Sequence, residues 1–188
     1  MSKTSDLQRF ECLIMPHMNA AYNLARWIMG DKQDAQDVVQ DAYIRAFRGF
    51  DNYSDTNSAA WMLTIVRNTC YTRLKSAHST RETDVFDENQ HSNATSEFAG
   101  TTCSQTPGPE ESALAASESI RVRSAVNELP IAFREVIVLR ELEGFTYEEI
   151  ADITDVPLGT VMSRLSRARS KLKHILAARL SEVTPGEV

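Results

Sequence analysis

The chain has 188 residues, 42% of them apolar and 24% charged, with a formal net charge of −6 at pH 7. That length holds one ordinary domain or two small ones, with enough apolar material for packed cores. No run approaches the ~18 apolar residues of a membrane-spanning helix, and the opening "MSKTSDLQRFE" lacks the basic-then-apolar order of a secretory signal. A cytoplasmic protein with no membrane insertion is expected.

The acidity is unevenly distributed. Residues 1–77 hold 9 Lys/Arg against 8 Asp/Glu, residues 78–117 hold 1 against 7, and residues 118–188 hold 10 against 11. The middle segment is rich in Ser, Thr, Glu and Asn, contains Pro-Gly-Pro at 107–109, and has almost no apolar periodicity. Such a stretch cannot bury enough surface to offset its ordering entropy, so it reads as a flexible linker. It serves either as a solvated spacer or as an acidic tether that imitates a nucleic-acid strand.

Residues 1–77 read as an all-helical module. Phe10, Ile14, Ala21, Tyr22, Ala25 and Ile28 recur at helical spacing, with Gly30 as a C-cap. Asp34 is placed to cap a second helix that runs to about Phe50, burying Ala35, Val38, Val39, Ala42 and Ala46. Asp37, Gln40, Asp41, Ile44 and Arg48 project from its other face, where a β-branched apolar residue among charges suggests a partner surface. The polar loop "DNYSDTNSAA" follows, then the helix "WMLTIVRNTCYTRLK". Thr64, Arg67, Asn68, Tyr71 and Lys75 line one face of that helix. Interleaved polar, basic and aromatic groups suit a single nucleic-acid strand, because rings stack on bases and cations track phosphates. Trp61 fits that face or a core equally well.

Residues 118–180 read as a second helical module, ending in a short tail at 181–188. Helices are expected over roughly 117–128 and 131–143, punctuated by Pro130 and Gly144. Thr146 and Glu149 form a capping box that starts the next helix, with Ile150, Ala151 and Ile153 inward. Val156-Pro157 forces a break and a restart. Short helix, tight turn and longer helix make a helix-turn-helix pattern. The stretch from Val156 to Lys173 holds five basic residues and no acid. Along it Val161, Leu165, Ala168 and Leu172 fall within about 60° of one another at about 100° per residue, a buried stripe. Ser163, Ser166, Arg167 and Ser170 lie opposite, flanked by Thr160, Arg164 and Lys171 on one side and Arg169 on the other. Small hydroxyls admit the backbone deep into a major groove, and guanidinium groups reach base edges and phosphates.

Other chemistries find little support. Cys12, Cys70 and Cys103 are widely spaced and odd in number, so neither a disulfide framework nor a zinc site is expected, and Cys103 reads as a bystander rather than an oxidation sensor. Four scattered histidines, no Gly-rich phosphate loop and no nucleophile–base pairing argue against an enzyme and against a metal or cofactor.

Two blocks, "DAQDVVQDAYIRAFRGFD" with "WMLTIVRNT" and "LPIAFREVIVLRELEGFTYEEIADITDVPLGTVMSRLSRARSKL", resemble regions 2 and 4 of group IV (extracytoplasmic-function) bacterial RNA polymerase sigma factors, in the family's order. The resemblance implies an all-α chain with region 2 over 1–77, a linker over 78–117 and region 4 over 118–180. It also implies that Asp37, Gln40, Asp41, Ile44 and Arg48 dock on the β′ clamp coiled coil, and that the β flap is a second polymerase contact. The loop 51–60, with Asn52, Tyr53 and Ser54, would take up a flipped base of the −10 element. Trp61, Arg67 and Asn68, extended by Thr64, Tyr71 and Lys75, would line the separated non-template strand. In the last helix Ser163, Ser166 and Arg167, with Ser170 beside them, would face −35 bases, and Thr160, Arg164, Arg169 and Lys171 phosphates. An anti-sigma partner is a further implication. Met162, at a position often basic in the family, and Ser166, often larger, depart from its pattern.

Two alternatives from other classes remain open here. A stand-alone helix-turn-helix regulator leaves the whole 34–75 block without a purpose, and a sigma mimic that only binds an anti-sigma protein has no use for Arg164, Arg167, Arg169 and Lys171.

Overall fold

Gly30 and Asp31 together set the helical junction after Met29. Gly30 takes the left-handed conformation (φ 79°) that ends one helix, and Asp31 is extended (φ −105°, ψ 144°), its carboxylate accepting from the backbone N–H groups of Gln33 and Asp34. The expected cap at Asp34 is therefore corrected to Asp31. Asp34 instead sits in the first turn and pairs with Arg73 at 3.0 Å. Two residues suffice as the link, so the helix after them begins earlier than its apolar periodicity suggests.

The computed structural model describes residues 3–54, 57–83 and 120–183. The first module contains α1 (Lys3–Ile14), α2 (Met18–Met29), α3 (Lys32–Gly49) and α4 (Ser58–Thr83), with single 3-10 turns at Met15–His17 and Phe50–Asn52. The second contains α5 (120–127), α6 (Ile131–Ile137), α7 (Tyr147–Thr154) and α8 (Leu158–Val183). Among the described residues there is no strand. The helix expected from Trp61 already begins at Ser58, because the Asn57 side chain accepts from the Ala60 N–H at 3.0 Å and caps it. At its other end α4 continues to Thr83, into the stretch read as linker; the remainder of that stretch, with Cys103, lies outside the described residues.

α6 passes into a five-residue π-helical stretch, Val138–Leu142, closed by bonds from Glu143 N–H to Val138 O and from Phe145 N–H to Leu139 O. The wider turn lets Val138 and Leu139 both face inward, and both are buried. Gly144 follows at φ 75°, where a side chain would be strained. The capping box then starts α7: Thr146 Oγ1 accepts from Glu149 N–H at 3.2 Å, and Glu149 Oε2 accepts from Thr146 N–H at 2.8 Å. The Thr146 backbone bond holds the Glu149 carboxyl below the usual carboxylate range. A depressed carboxyl pKa gives stability present above the ordinary Glu range and lost as pH falls through the lowered value. Thr146→Ala is expected to cost about 1 kcal/mol in a thermal or urea melt, a deficit that changes little with pH because the backbone N–H that lowers the Glu149 carboxyl remains.

The two modules pack on one another. A continuous core runs from Ile14, Leu24, Val38, Met62 and Val66 of the first into Val136, Leu139, Ile150, Ile153, Val161 and Leu165 of the second. A smaller cluster of Val126, Leu129, Ile137 and Ala168 takes in Trp27 of α2. Polar contacts cross the same boundary: Asn23 donates to Glu143 at 3.0 Å, Asn57 to Glu149 at 2.9 Å, and Arg134 to the Trp27 carbonyl at 2.7 Å.

Candidate nucleic-acid interface

On α8 the apolar stripe falls as its periodicity requires. Val161, Leu165 and Ala168 are buried and Leu172 is half-buried against the smaller cluster. Ser163, Ser166, Arg167, Ser170 and Lys171 are exposed on the remaining surface. Thr160 is half-buried and Ser163 donates its hydroxyl to the Thr160 carbonyl at 3.0 Å. Two of the five cations are already engaged. Arg169 meets Glu141 at 2.6 Å in a surface pair, and Arg164 turns inward to Glu135 at 3.5 Å. Arg167 and Lys171 are exposed and make no ion pair among the described residues.

On α4 the expected face is only partly displayed. Asn68 and Lys75 are exposed. Thr64 is half-buried and donates to the Ala60 carbonyl at 2.8 Å. Arg67 and Tyr71 are turned into the module boundary, where Arg67 Nε donates to Glu135 Oε2 at 2.9 Å and the Tyr71 hydroxyl donates to the same oxygen at 3.0 Å. Burial, with the adjacent Glu135 charge, pushes the Tyr71 phenol up to about 12, so it stays protonated and remains a donor. The Arg67 guanidinium lies over the Tyr71 ring, 4.6 Å from its centroid.

The loop after α3 divides by exposure. Asn52 and Ser54 are exposed, whereas Tyr53 is buried, stacked on Phe50 at 5.7 Å and tilted against Trp61 at 4.9 Å. Tyr53 thus anchors the loop from below rather than displaying its ring. Trp61 is half-buried, packed against Phe50 and Tyr53 in this aromatic cluster.

On α3 the outer face carries Gln40, Asp41, Ile44 and Arg48 exposed, while Asp37 is half-buried and pairs with Arg73 at 3.2 Å. Phe47, one turn beyond Ile44, adds a second exposed apolar group and sits edge-on to Phe10 at 5.2 Å. Sequence periodicity signalled it only as the i+3 neighbour of Ile44.

Glu135 and Arg134 had no place in the sequence reading. Glu135 is fully buried, an acid on the otherwise apolar stripe of Ile131, Val138 and Leu139 that runs from α6 into the π-helical stretch, and that break in pattern was its signal. Arg134 ties the Leu129 carbonyl at 3.0 Å and, across the boundary, that of Trp27. Cys12 and Cys70 are free thiols, with Cys70 buried and pushed up to about 12 by desolvation. Among the described residues no acidic, His or Cys group is suited to a metal ion, and no helix is long and apolar enough to cross a membrane.

Comparison with known proteins places these surfaces in context. Residues 13–80 match the family model described as Sigma-70 region 2, and residues 119–172 match Sigma-70, region 4. The chain is 30% identical over 185 residues to RNA polymerase sigma-H factor of Pseudomonas aeruginosa, covering 94% of this chain and 91% of that protein. It is 33% identical to the ECF RNA polymerase sigma-E factor of Escherichia coli, covering 89% of this chain and 86% of that protein. Against ECF RNA polymerase sigma factor SigE of Mycolicibacterium smegmatis it is 31% identical, covering 90% of this chain but 62% of that longer protein. Among solved structures, the sigma factor RpoE in complex with the anti-sigma factor NepR from Bartonella quintana superposes with a TM-score of 0.69 at 26% identity, covering 90% of this chain and 98% of that one. CnrH in complex with the cytosolic domain of CnrY gives 0.63 at 25%, covering 92% and 90%.

Proposed function

The chain belongs to the sigma-70 family, as a promoter-directing RNA polymerase sigma factor of the extracytoplasmic-function group, and we propose how its own residues divide that work. Residues 1–77 form the polymerase-binding and −10 module, 78–117 the tether, and 118–180 the −35 module. The outer face of α3, with Asp37, Gln40, Asp41, Ile44 and Arg48, docks on the β′ clamp helices, joined by Phe47, and the second module meets the β flap. Asn52 and Ser54 border the pocket for an extruded −10 base, and Trp61, Thr64, Arg67, Asn68, Tyr71 and Lys75 track the separated strand. On α8, Ser163, Ser166, Arg167 and Ser170 face −35 bases, while Thr160, Arg164, Arg169 and Lys171 hold phosphates.

The observation that carries this division is the sidedness of α8. Its apolar stripe is consumed in the core, and the opposite surface is a row of small hydroxyls around Arg167 and Lys171. That surface fits a groove in shape and charge. The work done is binding rather than bond-making, in keeping with sigma factors as initiation factors without catalysis of their own. Phosphate contacts give salt-sensitive affinity, with a slope of roughly −0.9 in log–log terms per phosphate neutralised. Holding an extruded base offsets its unstacking, a few kcal/mol, so only promoters whose bases fit are opened. The relatives solved with anti-sigma proteins support such a protein as a partner here, and the cytoplasm as the place of action.

Run-off transcription with core polymerase and fragmented source DNA tests the proposal. Discrete transcripts absent with core alone are expected, and their upstream sequences yield the two promoter elements. Absence of transcripts together with failure to co-elute with core would overturn it.

A further inference from the structure

The buried carboxylate of Glu135 gathers donors from both surfaces assigned to DNA. From α4 it receives Arg67 Nε at 2.9 Å and Nη2 at 3.4 Å, and the Tyr71 hydroxyl at 3.0 Å. From α8, Arg164 Nη1 lies 3.5 Å away. Two guanidinium groups and a phenol around one anion make a site with an excess positive charge, the donor set a phosphate oxygen would meet on a nucleic acid. Side chains meant for two different stretches of promoter are spent on one internal acid. Arg67 is left 15% exposed and Arg164 26%, so neither reaches an outside strand in this arrangement.

The boundary also holds the shared apolar core, so parting the modules needs a ligand whose binding offsets that burial. Asn23–Glu143, Asn57–Glu149 and Arg134–Trp27 O are polar contacts that water replaces at little cost. Glu135 itself belongs to the second module, and the departure of Arg67 and Tyr71 opens it to water, so it is not stranded as a lone buried charge when Arg164 turns to the promoter. Arg67 and Tyr71, on the first module, exchange it for water or for the promoter. Two discrete arrangements are therefore available, and a ligand favouring one shifts the population.

We propose that Glu135 is an internal stand-in for a DNA phosphate, latching the chain in a closed form whose strand-opening face on α4 is covered by the second module until polymerase and promoter draw the modules apart. This rests on the reading of Arg67 and Tyr71 as strand contacts, but closure itself is measured without DNA. Glu135→Gln removes the charge at constant size, and its helix content is checked by circular dichroism. Small-angle scattering of the full chain should show a larger radius of gyration than wild type. Affinity for a single-stranded oligonucleotide carrying a −10 segment mapped by run-off should rise about tenfold, the gain if about a tenth of the wild-type population is open. Unchanged dimensions with unchanged affinity would overturn the latch.

Should Glu135→Gln unfold, a second variant decides. Asn23→Cys with Glu143→Cys, in a Cys12→Ser and Cys103→Ser background, is joined by a short bis-maleimide; buried Cys70 does not compete. The joined chain is expected to lose strand binding and run-off activity that the unjoined chain keeps. Equal strand binding by joined and unjoined chains would overturn the latch, whereas an unjoined chain inactive with core would overturn the sigma assignment instead.

Discussion

Ile44→Glu is expected to lower affinity for core RNA polymerase by about 2–4 kcal/mol, roughly 30- to 1,000-fold, the range of a central interface residue. Ile44 is 43% exposed at mid-helix in α3, and Phe47, 49% exposed, stands one turn away. Between them they offer an apolar pair on a face otherwise made of Gln40, Asp41 and Arg48. Water gains nothing from that pair, and a partner groove would. Placing a carboxylate there costs its desolvation on docking as well as the lost apolar contact. The same change should leave the fold within about 0.5 kcal/mol, as for surface substitutions generally, because the inward side of α3 is already filled by Ala35, Val38, Ala42 and Ala46. Fluorescence titration of labelled core against the variant measures the first effect and a urea melt the second. A fall in stability with unimpaired docking would mean that Ile44 supports the bundle and that the polymerase contact lies elsewhere.

What the sequence disclosed was whatever is encoded locally. The Thr146–Glu149 box, the Val156-Pro157 restart and the apolar stripe of α8 each span a few residues and carry their own geometry, so their positions could be read in advance. Helix starts were less legible where several side chains compete to cap. Asp31 and Asp34 are equally good caps by type, and only the left-handed Gly30 immediately before selects Asp31. Asn57, hidden in a polar stretch read as loop, opened α4 early in the same way. The π-helical turn at Val138–Leu142 has no composition of its own to mark it in advance. The packing of the modules was beyond reach for a different reason. Its contacts join residues 64 to 120 positions apart, such as Tyr71 with Glu135 and Asn23 with Glu143, and no periodicity marks a pair so distant. An exposed-looking Arg67 became a half-buried ion-pair partner through that packing alone.

Arg167→Ala should reduce transcription from promoters that depend on a −35 element by about 5- to 150-fold, the equivalent of about 1–3 kcal/mol for a lost bidentate base contact. Of the α8 cations assigned to DNA, Arg164 is turned to Glu135 and Arg169 to Glu141, so Arg167 and Lys171 are the ones held out from the helix without an ion pair among the described residues. Arg167 is the better placed of the two for reading sequence. Its exposed neighbours Ser163, Ser166 and Ser170 are short, which lets the helix axis approach the bases closely enough for a guanidinium to reach their edges. Run-off assays on templates altered one base pair at a time in the −35 element separate base reading from phosphate holding. A base contact makes the variant indifferent to one particular base pair, and Arg167→Lys, which keeps the charge but not the planar fork, should restore little. A phosphate contact instead weakens all templates alike, lowers the salt slope by about 1, and is largely rescued by lysine. That second pattern would shift the helix in the groove and leave base reading to Ser163, Ser166 and Ser170, the exposed serines beside Arg167.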